Sequence, residues 1–275
     1  AKQGRAKLMT IQLRQICLVA KDLEPVIEDL TDILGINRCY VDPGVAVFGL
    51  ENTLMPIGRN FLEVVAPVEE NTAGGRYLDR RQGDGGYMVI TQADSVETQR
   101  QMRQNALDNG VRVAHESQQG DWNLCQLHPG DLKAAFFEIE SDQYNDFEGY
   151  WHPVGGVGWE DKVKQDITND FTGVELQSPD PVGLAELWGA VAGLPITRDG
   201  SELTMALNNV IVRFVMAEDG RGPGLGGLDI KVANRDYVLE HARQRDCYVN
   251  DHRVDLSSIL WNLTDGYSTQ FSRTQ

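Results

Sequence analysis

Between Gln12 and Ile36, apolar and polar positions alternate first with a period of two and then with a helical period. Ile16, Leu18 and Ala20 alternate with Cys17, Val19 and Lys21, which predicts a short, mostly apolar strand. Val26, Ile27, Leu30, Ile33 and Leu34 then form the apolar stripe of a helix. Asp22 stands at its N-cap, Pro25 in its first turn and Gly35 at its stop. Val174 to Leu194 repeats this unit. Ile16 pairs with Val174, Leu18 with Leu176, Asp22 with Asp180 and Gly35 with Gly193 at one offset (174 − 16 = 180 − 22 = 193 − 35 = 158). A recurring strand–cap–helix–glycine unit predicts a duplicated architecture.

Continued along the chain, the pattern predicts four β-α-β-β-β modules. In the first, strands at Arg38–Val41, Gly44–Leu50 and Asn60–Ala66 follow the helix, with turns at Asp42-Pro43-Gly44, Glu51-Asn52 and Gly58-Arg59-Asn60. The polar, Gly-rich stretch Glu69–Gly86, with a helical turn around Arg76–Arg81, leads to the second. That module reads as strand Tyr87–Ile90, a cap at Asp94 or Ser95, a helix to Asn109-Gly110, and strands Val111–Ala114, Trp122–Leu127 and Ala134–Ile139. Ser141–Asp170 has no periodicity but carries Tyr144, Phe147, Tyr150, Trp151 and Trp159, which predicts a packed crossing strap. The third module spans Phe171–Ala217, with strands near Thr204–Leu207 and Val210–Val215. After a connector at Gly220–Gly227, the fourth has strand Leu228–Val232, helix Asp236–Gln244, and strands Ile259–Leu263 and Ser268–Ser272. The expected fold class is α+β, with residues 10–140 as one module pair (11–67 and 86–140), 141–170 as the strap and 171–275 as a second pair.

Composition narrows the function. Twenty-five basic residues against 41 acidic give a net charge of −16, which excludes sequence-independent binding to nucleic acid or anionic membranes. No apolar run approaches the roughly 18 residues of a membrane span, and no signal peptide is seen before the first strand, so a cytoplasmic location is expected. The four cysteines (Cys17, Cys39, Cys125, Cys247) show no CxxC spacing and are expected as free thiols. Gly220–Gly227 lacks the lysine and Ser/Thr of a phosphate loop.

The order of four segments, ICLVAKDLE, FLEVVAP, TAGGRYLDRRQGDGGYMV and LHPGDLKAAFFEIE, resembles the vicinal-oxygen-chelate superfamily of glyoxalase I, bleomycin and fosfomycin resistance proteins, methylmalonyl-CoA epimerase and extradiol dioxygenases. The resemblance covers the first 140 residues well and the second half more weakly. It implies paired modules curled around a cavity, with metal ligands on the first and last strand of each module. Those positions fall on Gln15, Glu63, Tyr87 and Glu138. Glyoxalase I implies Gln, Glu, His, Glu, so Gln15, Glu63 and Glu138 are candidate ligands for a single divalent metal (iron, nickel, manganese or zinc), while Tyr87 replaces the histidine and leaves a metal-free site as the alternative. In the second half the positions are Gly173, Arg213, Asp229 and about Gln270, a set unsuited to a metal, with an Arg213–Asp229 ion pair expected.

The residues keep other readings open. Glu63 and Glu138 could pair with Arg14 or Arg76. Unpaired, they would repel, and one would hold a proton near neutral pH as a general acid–base group. His128 is a candidate proton carrier beside the last hairpin, although its place next to Pro129 favours a turn cap. Tyr87 and Arg76, the latter with Arg80 and Arg81, are candidate substrate contacts. None of the five histidines falls on a ligand position, which disfavours ring-cleaving dioxygenase chemistry. The expected function is a glyoxalase-like lyase or isomerase acting on a small carbonyl- or oxygen-rich molecule. A non-catalytic drug- or metabolite-binding protein is the competing reading, and a homodimer is compatible with either.

Overall fold

The structure, a computed structural model, describes residues 10–265. The first half runs β1 (Ile11–Val19), α1 (Leu23–Leu34), β2 (Leu50–Ile57), β3 (Asn60–Pro67), α2 (Ala73–Arg81), β4 (Gly85–Ala93), α3 (Val96–Asp108), β5 (Val113–Gln119), β6 (Trp122–Leu127), α4 (Pro129–Leu132) and β7 (Phe136–Ser141). Its strands form one sheet in the order β2-β3-β1-β4-β7-β6-β5. The second half runs β8 (Thr168–Ser178), α5 (Pro181–Ala192), β9 (Thr197–Asp199), β10 (Glu202–Ala206), β11 (Ile211–Met216), β12 (Gly224–Val232), α6 (Arg235–Gln244), β13 (Tyr248–Asn250), β14 (Arg253–Leu256) and β15 (Ile259–Thr264). These eight strands order as β13-β14-β15-β12-β8-β11-β10-β9. The α+β class and the duplication are as expected, and α1 and α5 correspond end to end at the same offset (181 − 23 = 192 − 34 = 158). Both helices stop at a left-handed glycine, Gly35 and Gly193. Asp180 caps α5 through its carboxylate, which accepts from Gly183 N–H, whereas Asp22 has the extended N-cap backbone without a side-chain bond.

Several expected boundaries are corrected. Arg38–Val41 contributes only an isolated bridge between Tyr40 and Leu54, and Pro43–Phe48 is a 3₁₀ helix rather than a strand. The apolar run Val45–Phe48 is overridden locally: Asp42 accepts from Gly44 N–H and Pro43 presets the first helical φ. Glu51-Asn52 is not a turn but lies within β2, which pairs with β3 along its whole length. The Gly-rich connector is shorter than expected, because β12 already begins at Gly224. Strands β9, β13 and β14 were not anticipated, each having only three or four residues. The expected strand Ser268–Ser272, with Gln270, lies outside the described residues.

Each sheet has a helix-covered face and an outer face. In β1, Ile16 and Leu18 point to the helices while Cys17 and Val19 point outward, and both sets are buried. Helices α1, α3, α5 and α6 lie between the sheets in two contacting pairs, α1 with α6 and α3 with α5, so one apolar core joins the halves, while α2 packs Tyr77 on the outer side of the first sheet. Trp188 of α5 is fully buried, its ring 4.8 Å from that of Phe137 and its Nε1 donating to Leu132 O of the first half. The sheet centres meet where Gly86 of β4 admits Leu225 of β12, a contact any Cβ would block. Around this core Arg245 pairs with Asp29 and Asp32, and Arg81 and Arg221 donate to each other's loop carbonyls.

The outer faces differ. The strap covers that of the first sheet, burying Trp151, Val154 and Trp159 against Phe61, Tyr87 and Ile90. Arg14, at a β-bulge in β1, is 0% exposed and ties the strap down by donating to the carbonyls of Asp146 and Gly149 and to Gln92 Oε1. Of the strap's aromatics, Trp151 and Trp159 are buried, whereas Tyr144 is 54% exposed. On the second sheet Glu175, Ile211, Arg213, Asp229 and Asn262 remain partly accessible. All four cysteines are free, and no helix among the described residues is long and apolar enough to cross a membrane.

Candidate functional site

Three carboxyl groups are buried together on the outer face of the first sheet: Glu63 on β3, and Glu138 and Glu140 on β7. Residues two apart on a strand share a face, so Glu138-Ile139-Glu140 sends both acids outward and Ile139 into the core. Parallel pairing of β1 with β3 sets Glu63 across from Cys17, next to Gln15.

Glu63 is held by two amides. Gln15 Nε2 donates to Oε1 at 3.1 Å and Asn52 Nδ2 to Oε2 at 2.7 Å. Each amide oxygen in turn accepts: Gln15 Oε1 from Trp151 Nε1 at 2.8 Å, and Asn52 Oδ1 from Asp42 N–H at 3.1 Å. Because an indole and a backbone N–H only donate, these contacts fix both amide orientations and leave only N–H groups for Glu63. Glu138 accepts from Gln126 Nε2 at 2.9 Å and Glu140 from Trp122 Nε1 at 3.2 Å, and the two carboxyls hydrogen-bond to each other.

Neither Glu63, Glu138 nor Glu140 forms an ion pair among the described residues, which governs their protonation. Burial pushes Glu138 up to about 7, with the charges of Glu63 and Asp42 adding to it. Burial and the adjacent Glu138 push Glu140 well above the ordinary carboxylate range. The two therefore share a proton at neutral pH, Glu140 donating to Glu138. Glu63 is also raised by burial, against its two amide donors, and burial beside Glu63 pushes the Cys17 thiol well up. The expected pairing with an arginine is not observed. Arg14 is spent on carbonyls and Gln92, with burial lowering its pKa to about 10, and Arg76 is exposed and donates to Asn71 O.

The other sequence candidates disperse. Tyr87 is buried edge-to-face between Tyr77 and Phe136. Arg80 stacks over Tyr77, and Arg81 is buried against carbonyls of residues 221–223. His128 caps α4, its Nδ1 accepting from Gly130 N–H at 3.0 Å, and makes no contact with the carboxyls. The histidine that does approach is His152 of the strap, stacked on Trp122 at 3.9 Å and lowered in pKa by burial. Sequence reasoning missed Glu140, Asn52, Gln126 and Trp151. Glu140 alone carried a signal, the alternation E-I-E at the end of an apolar strand.

In this arrangement Gln15 turns its amide nitrogen toward Glu63 while its oxygen accepts from Trp151, and Tyr87 contributes only ring packing. Among the described residues no group of three or more His, Cys, Asp and Glu side chains is spaced to hold an ion. In the second sheet the expected ion pair is present. Arg213 donates to Asp229 at 2.6 Å and to Glu175 at 2.8 Å, and the Asp229 carboxylate occupies the space a side chain at Gly173 would need.

The glyoxalase-like domain profile matches residues 16–192. No curated protein matches the chain. Among solved structures, the Mn(II)-bound glyoxalase of Novosphingobium aromaticivorans is 11% identical, covers 93% of this chain and 82% of its own, and has a TM-score of 0.63. A mutant 4-hydroxymandelate synthase of Streptomyces coelicolor is 14% identical, covers 87% and 76%, and has a TM-score of 0.62. A hypothetical protein from Staphylococcus aureus is 12% identical, covers 92% and 99%, and has a TM-score of 0.60. At these identities the structural likeness speaks for the fold.

Proposed function

Since the chain belongs to the glyoxalase-like domain family of the vicinal-oxygen-chelate superfamily, we propose that its first module pair is an acid–base site for a small carbonyl- or oxygen-bearing molecule. The observation that carries this reading is the set of three buried carboxyls held by neutral donors and by each other, with no cation paired to any of them among the described residues. Structural acids buried this deeply are ordinarily paired with cations, whereas perturbed, unpaired acids mark functional sites. A base with a pKa of about 7 is half ionised at neutral pH and well matched to removing a proton next to a carbonyl. Glu138 takes that role. Glu140 donates to Glu138 and steadies its charge, and Gln126 fixes its orientation. Glu63, raised by burial and held in place by the Gln15 and Asn52 amides, is the second acid of the site. Substrate would approach past Trp122, Gln126 and His152, which are half-buried between the strap and β6.

The test is exchange of the acidic C–H proton of small ketones, hydroxyacids and thioesters into deuterated water, followed by NMR. Wild type should catalyse exchange of at least one compound, and Glu138→Gln should reduce it by about 10²-fold or more while retaining ligand affinity. A ligand that binds without exchange, with Glu138→Gln altering only affinity, supports the second reading, a sequestering protein. The strap's closure of the face favours that alternative. Elemental analysis of chelator-free protein discriminates further. One equivalent of metal, lost in a Glu63→Gln, Glu138→Gln double variant, would replace the metal-free reading with a metal-assisted one.

A further inference from the structure

At the far edge of the second sheet, strands β13, β14 and β15 and the start of α6 border an open cleft of about 510 Å³, in the other sheet from the three carboxyls. Its lining is mostly polar, with Arg235, Asn250, His252, Arg253 and Asn262 around it and Asp265 as its acid. In a chain of net charge −16, two arginines border this cleft, and only one of them is paired with a lining carboxylate.

The two arginines play different parts. Arg235 is saturated, donating to the carbonyls of Asp251 and Leu263, to His252 Nδ1 and to Asp265. It is a wall. Because Nδ1 of His252 accepts from a guanidinium, its proton sits on Nε2, adding a further donor. Arg253 is different, for only its Nε is bonded, to Asn262 Oδ1 at 2.8 Å, and its guanidinium meets no carboxylate among the described residues. That bond is the end of a chain across the sheet. Asn262 Nδ2 donates to Asp229 at 2.8 Å, Asp229 is gripped by Arg213, and Arg213 is held by Glu175. The chain fixes the plane of the Arg253 fork before any ligand arrives, which removes much of the ordering cost of binding. The one lining acid, Asp265, has a side chain 64% exposed and already pairs with Arg235, so it opposes an incoming anion only weakly.

We propose that this cleft binds the carboxylate of a small organic acid, received by the two outer nitrogens of Arg253. A planar guanidinium with a free edge matches a carboxylate in bidentate geometry, and the volume suits a ligand of metabolite size. The site is independent of the acid–base reading above and stands or falls separately from it.

The experiment uses full-length ¹⁵N-labelled protein titrated with sodium succinate and, separately, inorganic phosphate at constant ionic strength. It follows the Arg253 Nε–H and Asn262 side-chain amide signals. Succinate should shift both signals saturably and bind more tightly than phosphate. Arg253→Lys keeps the charge and loses the fork, and should weaken succinate binding by about tenfold. Arg103→Gln, on α3 of the other half, should leave it unchanged. Linear shifts, or an Arg253→Lys variant that binds as tightly as wild type, would overturn the site. Tighter binding of phosphate than of succinate would overturn the carboxylate assignment.

Discussion

Glu138 is harder to ionise in the folded chain than in the unfolded one, and stability therefore depends on pH. With a folded pKa of about 7 against an ordinary 4.5, the folded state binds the extra proton between those values. Stability should fall as pH rises through that window and level off above it. Glu138→Gln removes the penalty, so urea melts should find it gaining on wild type between pH 5 and pH 8 by on the order of 2–3 kcal/mol. Trp151→Phe keeps most of the packing but leaves Gln15 Oε1 buried without its donor, and should destabilise by about 1–3 kcal/mol in the same assay. Sequence legibility was uneven at this scale. Glu63 and Glu138 stood at positions the resemblance marked, and Glu140 was readable from strand alternation. Asn52 was not, because a polar pair inside an apolar run looks like a turn until the hairpin partner that needs an amide, 11 residues on, is in place.

Among the elements, those with a period were the ones a sequence could disclose. Helices α1 and α5, with caps and stops at matching positions, were legible almost to the residue. The 3₁₀ segment Pro43–Phe48 was not, since a single capping carboxylate and a proline outweigh four apolar residues of strand propensity. The three- and four-residue strands are set by pairing with longer neighbours rather than by their own composition. Two of the strap's aromatics, Trp151 and Trp159, are buried, but its anchor was hidden, because nothing in the sequence makes Arg14 a partner for backbone carbonyls 132 and 135 residues away. Hydrogen exchange should show the Trp151 and Gly156 amides, which bond to each other's carbonyls, protected far beyond an ordinary loop. Gly86→Val should cost about 1–3 kcal/mol, since Leu225 lies where the new Cβ must go.

For the whole molecule, the helices between the sheets make the halves mutually dependent. Unfolding should be a single transition, with near-ultraviolet circular dichroism, dominated by the tryptophans of both halves, coinciding with the far-ultraviolet signal. Trp188→Ala should lower its midpoint by about 3–5 kcal/mol of stability without splitting it. The duplication was visible in the sequence. The sandwich was not, because an apolar helix stripe does not say which second surface will cover the helix's other flank. That arrangement also has a cost in time. On the ribosome the first sheet and its helices emerge with their shared surface uncovered, and α5, α6 and β12 follow only after tens of further residues. At about 5–20 residues per second, the nascent first half waits roughly 5–20 seconds beside other chains before its cover arrives. Synthesis speed between residues 141 and 244 should therefore set the yield of soluble protein, and codons slowed there should raise its demand for chaperones.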